Sequence, residues 1–188
     1  MKGVTGLAAA LLVAFAGAPA AAQGQGEAQG GPQAESFAPP NALAVFPMEL
    51  WDTSGAPQKP DEKERLALAT QSLVRALEAN GAGTAVELGP FGEAIDKAAP
   101  LYKCDGCWLP IAKDAGARFA VVSTIHKASS LISSLDIAIV DVATAKTAAQ
   151  ASGQFRGDGP DEIDRSISFL VKGRLLTPQA RAALAAPE

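Results

Sequence analysis

Cys104 and Cys107 are the two cysteines of this 188-residue chain, and only two residues separate them. Three chemistries use a pair of cysteines at this spacing: a structural disulfide, a redox-active dithiol and metal binding. A thiol beside the first turn of a helix is more acidic and therefore more reactive, and the residues after Cys107 have a helical pattern. The spacing alone leaves all three chemistries open.

The residues around the pair favour a structural disulfide. A thioredoxin-type site follows a strand and has a tryptophan before its first cysteine, whereas Leu-Tyr-Lys precedes Cys104 and no predicted strand leads into it. Covalent haem needs a histidine where this chain has Trp108. A closed zinc site needs four ligands, and His126 is a lone histidine, so zinc would have to be shared between two chains. A thiol-disulfide oxidoreductase that uses Cys104 and Cys107 remains the alternative.

Polar and aromatic residues cluster where the first predicted strand ends. Ligands of open sheets with parallel strands bind at this end of the strands. We therefore expect a ligand or partner surface there, completed by the loop that holds the cysteines. Its predicted members are Glu49, Trp51, Asp52, Thr53, Asp105 and Trp108. The alternative is that Trp51 belongs to the core, that Asp52 and Thr53 form an ordinary turn, and that Trp108 covers the disulfide.

The sequence provides no recognisable catalytic constellation. His126 could act as a general base, but no Ser, Cys or Asp can be paired with it from the sequence. No G-x-G-x-x-G pattern follows the first strand, and no Gly-Lys-Ser/Thr loop is present. We therefore predict no catalytic residue, no cofactor and no metal site.

The elements that must position these residues alternate between strands and helices. Apolar runs and alternating patterns predict strands, and apolar residues spaced three and four apart predict amphipathic helices. The predicted strands are 42–50, 84–89, 118–127, 131–142 and 146–157, and the predicted helices are 61–80, 90–100, 107–115 and 160–176. The order β-α-β-α-β-β-β-α, in which the second α stands for the two short helices 90–100 and 107–115, predicts one α/β domain of α+β tendency, with a mixed, roughly five-stranded sheet flanked by helices.

Two of these helices carry candidate start signals. Asp61 and Glu64 have the spacing of a capping box after Pro60, and Asp158 or Asp161 could cap the last helix. The turn between the last two strands has Ala145 where a glycine would be expected, because the β-carbon of alanine resists a positive φ.

The chain is divided into four segments by composition. Residues 1–22 are predicted to be a signal peptide, because Lys2 precedes a short apolar run and small residues precede the expected cleavage site. Residues 23–41 form a Gly/Gln/Pro-rich linker, residues 42–176 the folded domain, and residues 177–188 a loosely docked C-terminal tail. The chain is then periplasmic or secreted, and soluble after cleavage, with no stable membrane insertion.

The net charge argues against polyanionic partners. The formal charge is −4 for the whole chain and becomes −5 when Lys2 leaves with the signal peptide, and the basic residues form no cluster. Nucleic acid and anionic membrane surfaces are therefore not expected to bind.

Three stretches carry a resemblance to known proteins: "ALAVFPMELWDTS", "CDGCWLPIAKDAGARFAVVSTIHKASSLISSLDIAIVDVATAK" and "DEIDRSISFLVKGRLL". Together they resemble a family of exported bacterial proteins of unassigned function. Their hydrophobic spacing is also similar to that of the amino-terminal domain of TolB and related periplasmic domains. The resemblance implies an open sheet flanked by helices and a role in assembly or scaffolding, and it transfers no catalytic residue.

These observations predict an exported, non-enzymatic accessory or scaffold domain that binds a periplasmic protein. A thiol-disulfide oxidoreductase is the first alternative, and a periplasmic protein that binds a small ligand is the second.

Overall fold

The structure, a computed structural model, describes residues 41–186. The predicted signal peptide and all of the predicted linker except Asn41 lie outside the described residues. The strands are β1 (Ala42–Val45), β2 (Glu49–Asp52), β3 (Thr84–Ala85), β4 (Phe119–Lys127), β5 (Ile132–Asp141) and β6 (Thr147–Arg156). The α-helices are α1 (Glu62–Ala79), α2 (Gly92–Ala98), α3 (Leu109–Asp114), α4 (Pro160–Leu170) and α5 (Pro178–Ala185). Single 3₁₀ turns span Gly89–Phe91 and Leu101–Lys103, and a π-helical turn, Val171–Leu175, extends α4.

The strands form one mixed sheet in the order β3-β1-β4-β5-β6, and β2 pairs with β4 beside β1. The pairs of β1 with β3 and of β4 with β1 and β2 are parallel, whereas β4, β5 and β6 form an antiparallel meander. The predicted α/β domain with a mixed sheet flanked by helices is confirmed. The sheet has six strands because the first predicted strand is divided into β1 and β2.

The division of the first strand decides which way its later side chains point. Val45 lies opposite Val121 and Glu49 lies opposite Thr124, so a step of four residues along this strand matches a step of three along β4. The extra residue falls around Pro47, which has no N–H to donate to a neighbouring strand. A bulge of one residue reverses the alternation, and Glu49 therefore lies on the opposite face from Val45. The strand also continues to Asp52, where the sequence predicted a loop from Trp51 onward.

Hydrophobic cores lie on both faces of the sheet. The first face is covered by α1 and α4, whose buried residues include Leu73, Leu77, Ile163 and Ile167. The second face is covered over part of its length by α2, α3 and the segment that holds the cysteines. The predicted apolar stripes of the two long helices are therefore confirmed.

The predicted helix caps are wrong, because the carboxylates pair with cations instead. Asp61 precedes α1 without a side-chain capping bond, and its Oδ2 atom lies 3.3 Å from Nε of Arg65. Gly159 occupies the N-cap position of α4, while Asp158 accepts a hydrogen bond of 2.7 Å from Nζ of Lys59. An ion pair and a capping bond compete for the same carboxylate, and here the ion pairs are formed.

The C-terminal segment differs from the expected loose tail. Residues Pro178–Ala185 form α5, and Ala180 and Leu184 are buried in the core of the first face. Thr177 caps the helix by accepting a hydrogen bond from the N–H of Ala180. Buried residues four apart after a Thr-Pro start are a helix signal that the composition of the tail concealed. Within residues 41–186, no helix has both the length and the apolar character that crossing a membrane requires.

Candidate functional site

Cys104 and Cys107 form a disulfide, as predicted. Both cysteines are partly buried against the core of the second face, between the 3₁₀ turn Leu101–Lys103 and α3. Gly106, between them, has a φ of +80°, a conformation that a side chain with a β-carbon resists. The bridge therefore closes a short, tightly turned segment, residues 104–107, which is called the disulfide loop below.

Glu49 ties the segment before the disulfide loop to the sheet. Its Oε1 atom accepts a hydrogen bond of 2.8 Å from the N–H of Leu101, and its Oε2 atom accepts one of 2.9 Å from the N–H of Tyr102. These donors belong to the first turn of a 3₁₀ helix, where backbone N–H groups lack partners within the helix. One carboxylate on β2 thus fixes the position of a segment more than fifty residues away in the chain.

A cleft of about 240 Å³ lies between the disulfide loop and the second face of the sheet. Its floor is set by strand register: Glu49 lies opposite Thr124, which lies opposite Asp136. Its lining also includes aromatic, acidic and amide side chains from the surrounding segments. These are Phe46, Tyr102, Asp105, Trp108 and Gln150.

The cleft is acidic. Glu49, Asp105 and Asp136 line it from the strand β2, the disulfide loop and the strand β5. Among the described residues that form its lining, none is a lysine, arginine or histidine. The wall therefore combines carboxylates with the aromatic rings of Tyr102 and Trp108.

Beside the cleft, three rings form a stack that is called the aromatic platform here: Trp51, His126 and Tyr102. The ring centroids of Trp51 and His126 are 4.1 Å apart, and those of Trp51 and Tyr102 are 6.0 Å apart. Trp51 remains 44% exposed, although side chains pack against its ring. The platform is held at its edge by a contact of 2.8 Å between Oγ1 of Thr53 and Nε2 of His126. Lys103 places its ammonium group 5.6 Å from the centre of the Tyr102 ring.

Asp52 lies away from this platform. Its Oδ1 atom accepts hydrogen bonds from the N–H and the hydroxyl of Ser54, at 2.8 and 2.6 Å. Its Oδ2 atom lies 3.3 Å from Nζ of Lys127, a buried lysine that also lies 3.7 Å from Asp158. The hydrogen bonds from Ser54, with a smaller contribution from Lys127, lower the pKa of Asp52 below its ordinary value. Asp52 therefore belongs to an ordinary turn, which is the alternative to a surface role that was considered for it above.

The structure brings five of the six predicted surface residues to one side of the sheet, and Asp52 is the exception. Glu49 and Asp105 line the cleft, Trp51 belongs to the adjoining platform, and Thr53 holds the edge of that platform. Trp108 is only 8% exposed and packs against Phe46, with ring centroids 6.5 Å apart, so it contributes an inner wall. The alternative that placed Trp51 in the core is wrong, because nearly half of its side chain is exposed.

Sequence reasoning missed Asp136 and Tyr102, an acidic and an aromatic member of the site. The position of Asp136 could have been predicted, because this residue lies between Leu135 and Ile137, which are buried, and must point to the other face of β5. Tyr102 gave no such signal, since its position depends on the two hydrogen bonds that Glu49 accepts.

The arrangement is suited to binding. Within residues 41–186, no group of three or more His, Cys, Asp or Glu side chains is placed to hold a metal ion. His126 meets the hydroxyl of Thr53 and the ring of Trp51, and these two contacts hold its ring in place. What the site offers to another molecule is an exposed indole, an acidic cleft and the polar side chains between them.

Several solved structures are similar to this chain. The C-terminal domain of LpoB from Escherichia coli is 19% identical over 64% of this chain and 86% of that domain, with a TM-score of 0.45. The PelC dodecamer from Paraburkholderia phytofirmans is 13% identical over 72% and 89% of the two chains, with a TM-score of 0.46. Lipoprotein GNA1162 from Neisseria meningitidis is 12% identical over 71% and 96%, with a TM-score of 0.47.

The family comparison covers most of the described residues. No curated protein matches this sequence. The resemblance to the amino-terminal domain of TolB stays a prediction, whereas membership of a family without an assigned function is confirmed. The model of the DUF3280 family, described as "Protein of unknown function (DUF2380)", matches residues 41–175, and the chain belongs to this family.

Proposed function

We propose that this protein is an exported, non-enzymatic accessory domain that binds a periplasmic protein through the aromatic platform. The proposal is carried by the exposure of Trp51. Its indole is 44% exposed, although it stacks on His126 and lies near Tyr102. The export step rests on the signal peptide predicted for residues 1–22.

An exposed, immobilised tryptophan suits protein recognition. Exposing a large apolar ring to water is unfavourable, and a partner that covers it recovers the hydrophobic free energy. Because the neighbouring rings already restrict the indole, little side-chain entropy is lost on binding. Tryptophan and tyrosine are also the residue types that most often dominate protein interfaces.

The surroundings of the platform supply a polar rim. Register places Ser134 and Gln154 in the same row across the sheet as Trp51 and His126. Ile132, which is 45% exposed, lies at the same end of β5. An apolar centre bordered by hydroxyl and amide groups is the usual composition of a protein interface.

A site-specific crosslinking experiment tests the location of the interface. A photo-crosslinking amino acid at Gln154 would sit in the platform row, whereas the same residue at Phe169, which is 60% exposed on α4, reports the opposite face. We expect one protein to crosslink from position 154 in the periplasm and to bind the purified domain afterwards. Crosslinking of that protein from position 169 alone would overturn the assignment of the platform.

A further inference from the structure

We propose that the acidic cleft binds the guanidinium group of an arginine side chain presented by the protein partner. This inference rests on the proposed protein-binding function and specifies the chemistry that the partner must carry. It is drawn from the size of the cleft, its charge, the strand positions of its carboxylates and the ring at its mouth.

The size of the cleft suits one side-chain head group. Its volume of about 240 Å³ lies below the range of roughly 300–1,000 Å³ that is typical of pockets for drug-sized ligands. Tyr102 lines the cleft and also stacks near Trp51, so the cleft opens beside the platform. A polypeptide lying on Trp51 can therefore place a single side chain in the cleft.

The charge of the cleft selects a cation. Glu49, Asp105 and Asp136 surround it, and no basic side chain among the described lining residues neutralises them. Each oxygen of Glu49 accepts one backbone hydrogen bond. A carboxylate oxygen can accept two, so Glu49 can still bind a donor from another molecule.

The strand positions of Glu49 and Asp136 favour a guanidinium group over a metal ion, since within residues 41–186 no three potential ligands converge to hold a metal. Glu49 and Asp136 flank Thr124 from opposite sides in the sheet register. Their backbones are therefore two strand spacings apart, roughly 10 Å. A planar guanidinium has five N–H donors that point in several directions and can reach acceptors on both sides, whereas a metal ion needs converging ligands.

The aromatic ring at the mouth adds a second recognition element. Arginine stacks on aromatic faces more readily than lysine does. The ammonium group of Lys103 lies 5.6 Å from the centre of the Tyr102 ring, and an arginine that stacks on this ring would take the place of that group. Thr124 and Gln150 supply further oxygen acceptors at the wall of the cleft.

A ligand titration tests this assignment without the partner. The full chain would be titrated with N-acetyl-arginine amide and with N-acetyl-citrulline amide, which has a similar shape but no charge. Binding would be followed by nuclear magnetic resonance at the backbone amides of Leu101 and Tyr102, because both donate to Glu49. We expect saturable shifts with the arginine compound and at least about tenfold weaker binding of the citrulline compound.

A pair of matched variants localises the binding. Asp136→Asn removes one charge from the cleft while preserving the shape of the side chain, and we expect about tenfold weaker binding of the arginine compound. Asp164→Asn removes the same charge from the exposed surface of α4 and should leave the affinity unchanged. Equal binding of the two compounds, or an unchanged affinity in Asp136→Asn, would overturn the proposal.

Two further arms separate the possible failures. If free L-arginine binds more tightly than the capped compound, the cleft is a site for a free guanidinium metabolite. This result would overturn the proposal that the cleft binds an arginine side chain of the protein partner. If the capped arginine fails to bind while the partner still requires Trp51, the arginine inference is wrong and the protein-binding function stands. If the capped arginine binds but the partner does not require Trp51, the proposed platform is wrong.

Discussion

The indole ring of Trp51 lies on the imidazole ring of His126, with centroids 4.1 Å apart and an angle of 21° between the ring planes. Residue Trp51 pairs with His126 in the parallel register of β2 and β4, so the sheet itself brings the rings together. The contact fixes a ring that is 44% exposed. It is this combination of exposure and restraint that separates Trp51 from an ordinary core residue.

The two tryptophans should respond differently to truncation. Trp108→Ala should lower the free energy of unfolding by about 3–5 kcal/mol, because it removes a large buried side chain that is only 8% exposed. Trp51→Ala should cost about 1 kcal/mol, the size of a ring-stacking contribution. Chemical denaturation of both variants measures the difference. Equal losses of unfolding free energy in the two variants would contradict the assignment of Trp108 to the buried wall of the cleft and of Trp51 to the exposed platform.

Ala145 offers a site for stabilisation. Its φ is +55°, a left-handed conformation in the turn between β5 and β6 that costs alanine about 1 kcal/mol. Ala145→Gly removes this cost but gives the unfolded chain more freedom. We therefore expect a net gain of about 0.5 kcal/mol and a higher melting temperature. A lower melting temperature would show that the methyl group makes a stabilising contact.

The disulfide should stabilise the loop without being required for the fold. Changing Cys104 and Cys107 to Ser should cost about 1–3 kcal/mol, at the low end of the usual range because the closed loop is short. In protein purified from the periplasm, both cysteines should resist alkylation until the protein is unfolded and reduced. Ready exchange with glutathione in the folded state, together with an unchanged melting temperature in the double variant, would instead favour the oxidoreductase alternative.

Stability should fall in acid because of Asp52 and Asp158. The hydrogen bond from Lys59, with the nearby charges of Arg65 and Lys127, holds the pKa of Asp158 below its ordinary value despite the opposing effect of burial. Hydrogen bonds from Ser54 lower the pKa of Asp52 in the same direction. A depressed pKa in the folded state contributes stability that is fully present above about pH 4 and is lost as the pH falls further.

The variant Asp158→Asn tests this pH dependence. It should be less stable than the unaltered protein at pH 7, and the difference should shrink as the pH falls below about 4, because the carboxylate is protonated first in the unfolded state and only at lower pH in the folded state. Denaturation curves at several pH values would measure this. A difference that is constant from pH 7 to pH 3 would mean that the ionised carboxylate contributes nothing.

The sequence was most informative where a pattern repeats along one element. The alternating pattern of residues 131–142 predicts one face made of Leu131, Ser133, Leu135, Ile137 and Ile139, and the structure buries the last four of these residues. The same pattern placed Leu131 on this face, but the strand begins at Ile132 and Leu131 is 70% exposed. A repeat identifies the face of an element but does not fix the end of that element.

The platform and the cleft depend on contacts that no local pattern shows. The bulge around Pro47 reverses the alternation and places Glu49 and Trp51 on the second face, and its position is visible only against β4. Tyr102 joins Trp51 because Glu49 holds the backbone of its turn. The sequence identified Glu49 and Trp51 as candidates, but their joint geometry is set by these long-range contacts.

The affinity of the crosslinked and purified partner for two variants tests the central claim most directly. Trp51→Ala and Phe169→Ala each remove one exposed aromatic side chain, the first from the platform and the second from α4. We predict that Trp51→Ala weakens binding at least about 30-fold, corresponding to the loss of about 2 kcal/mol at an interface hot spot, and that Phe169→Ala leaves the dissociation constant unchanged. Equal affinities for the unaltered protein and Trp51→Ala would contradict the account.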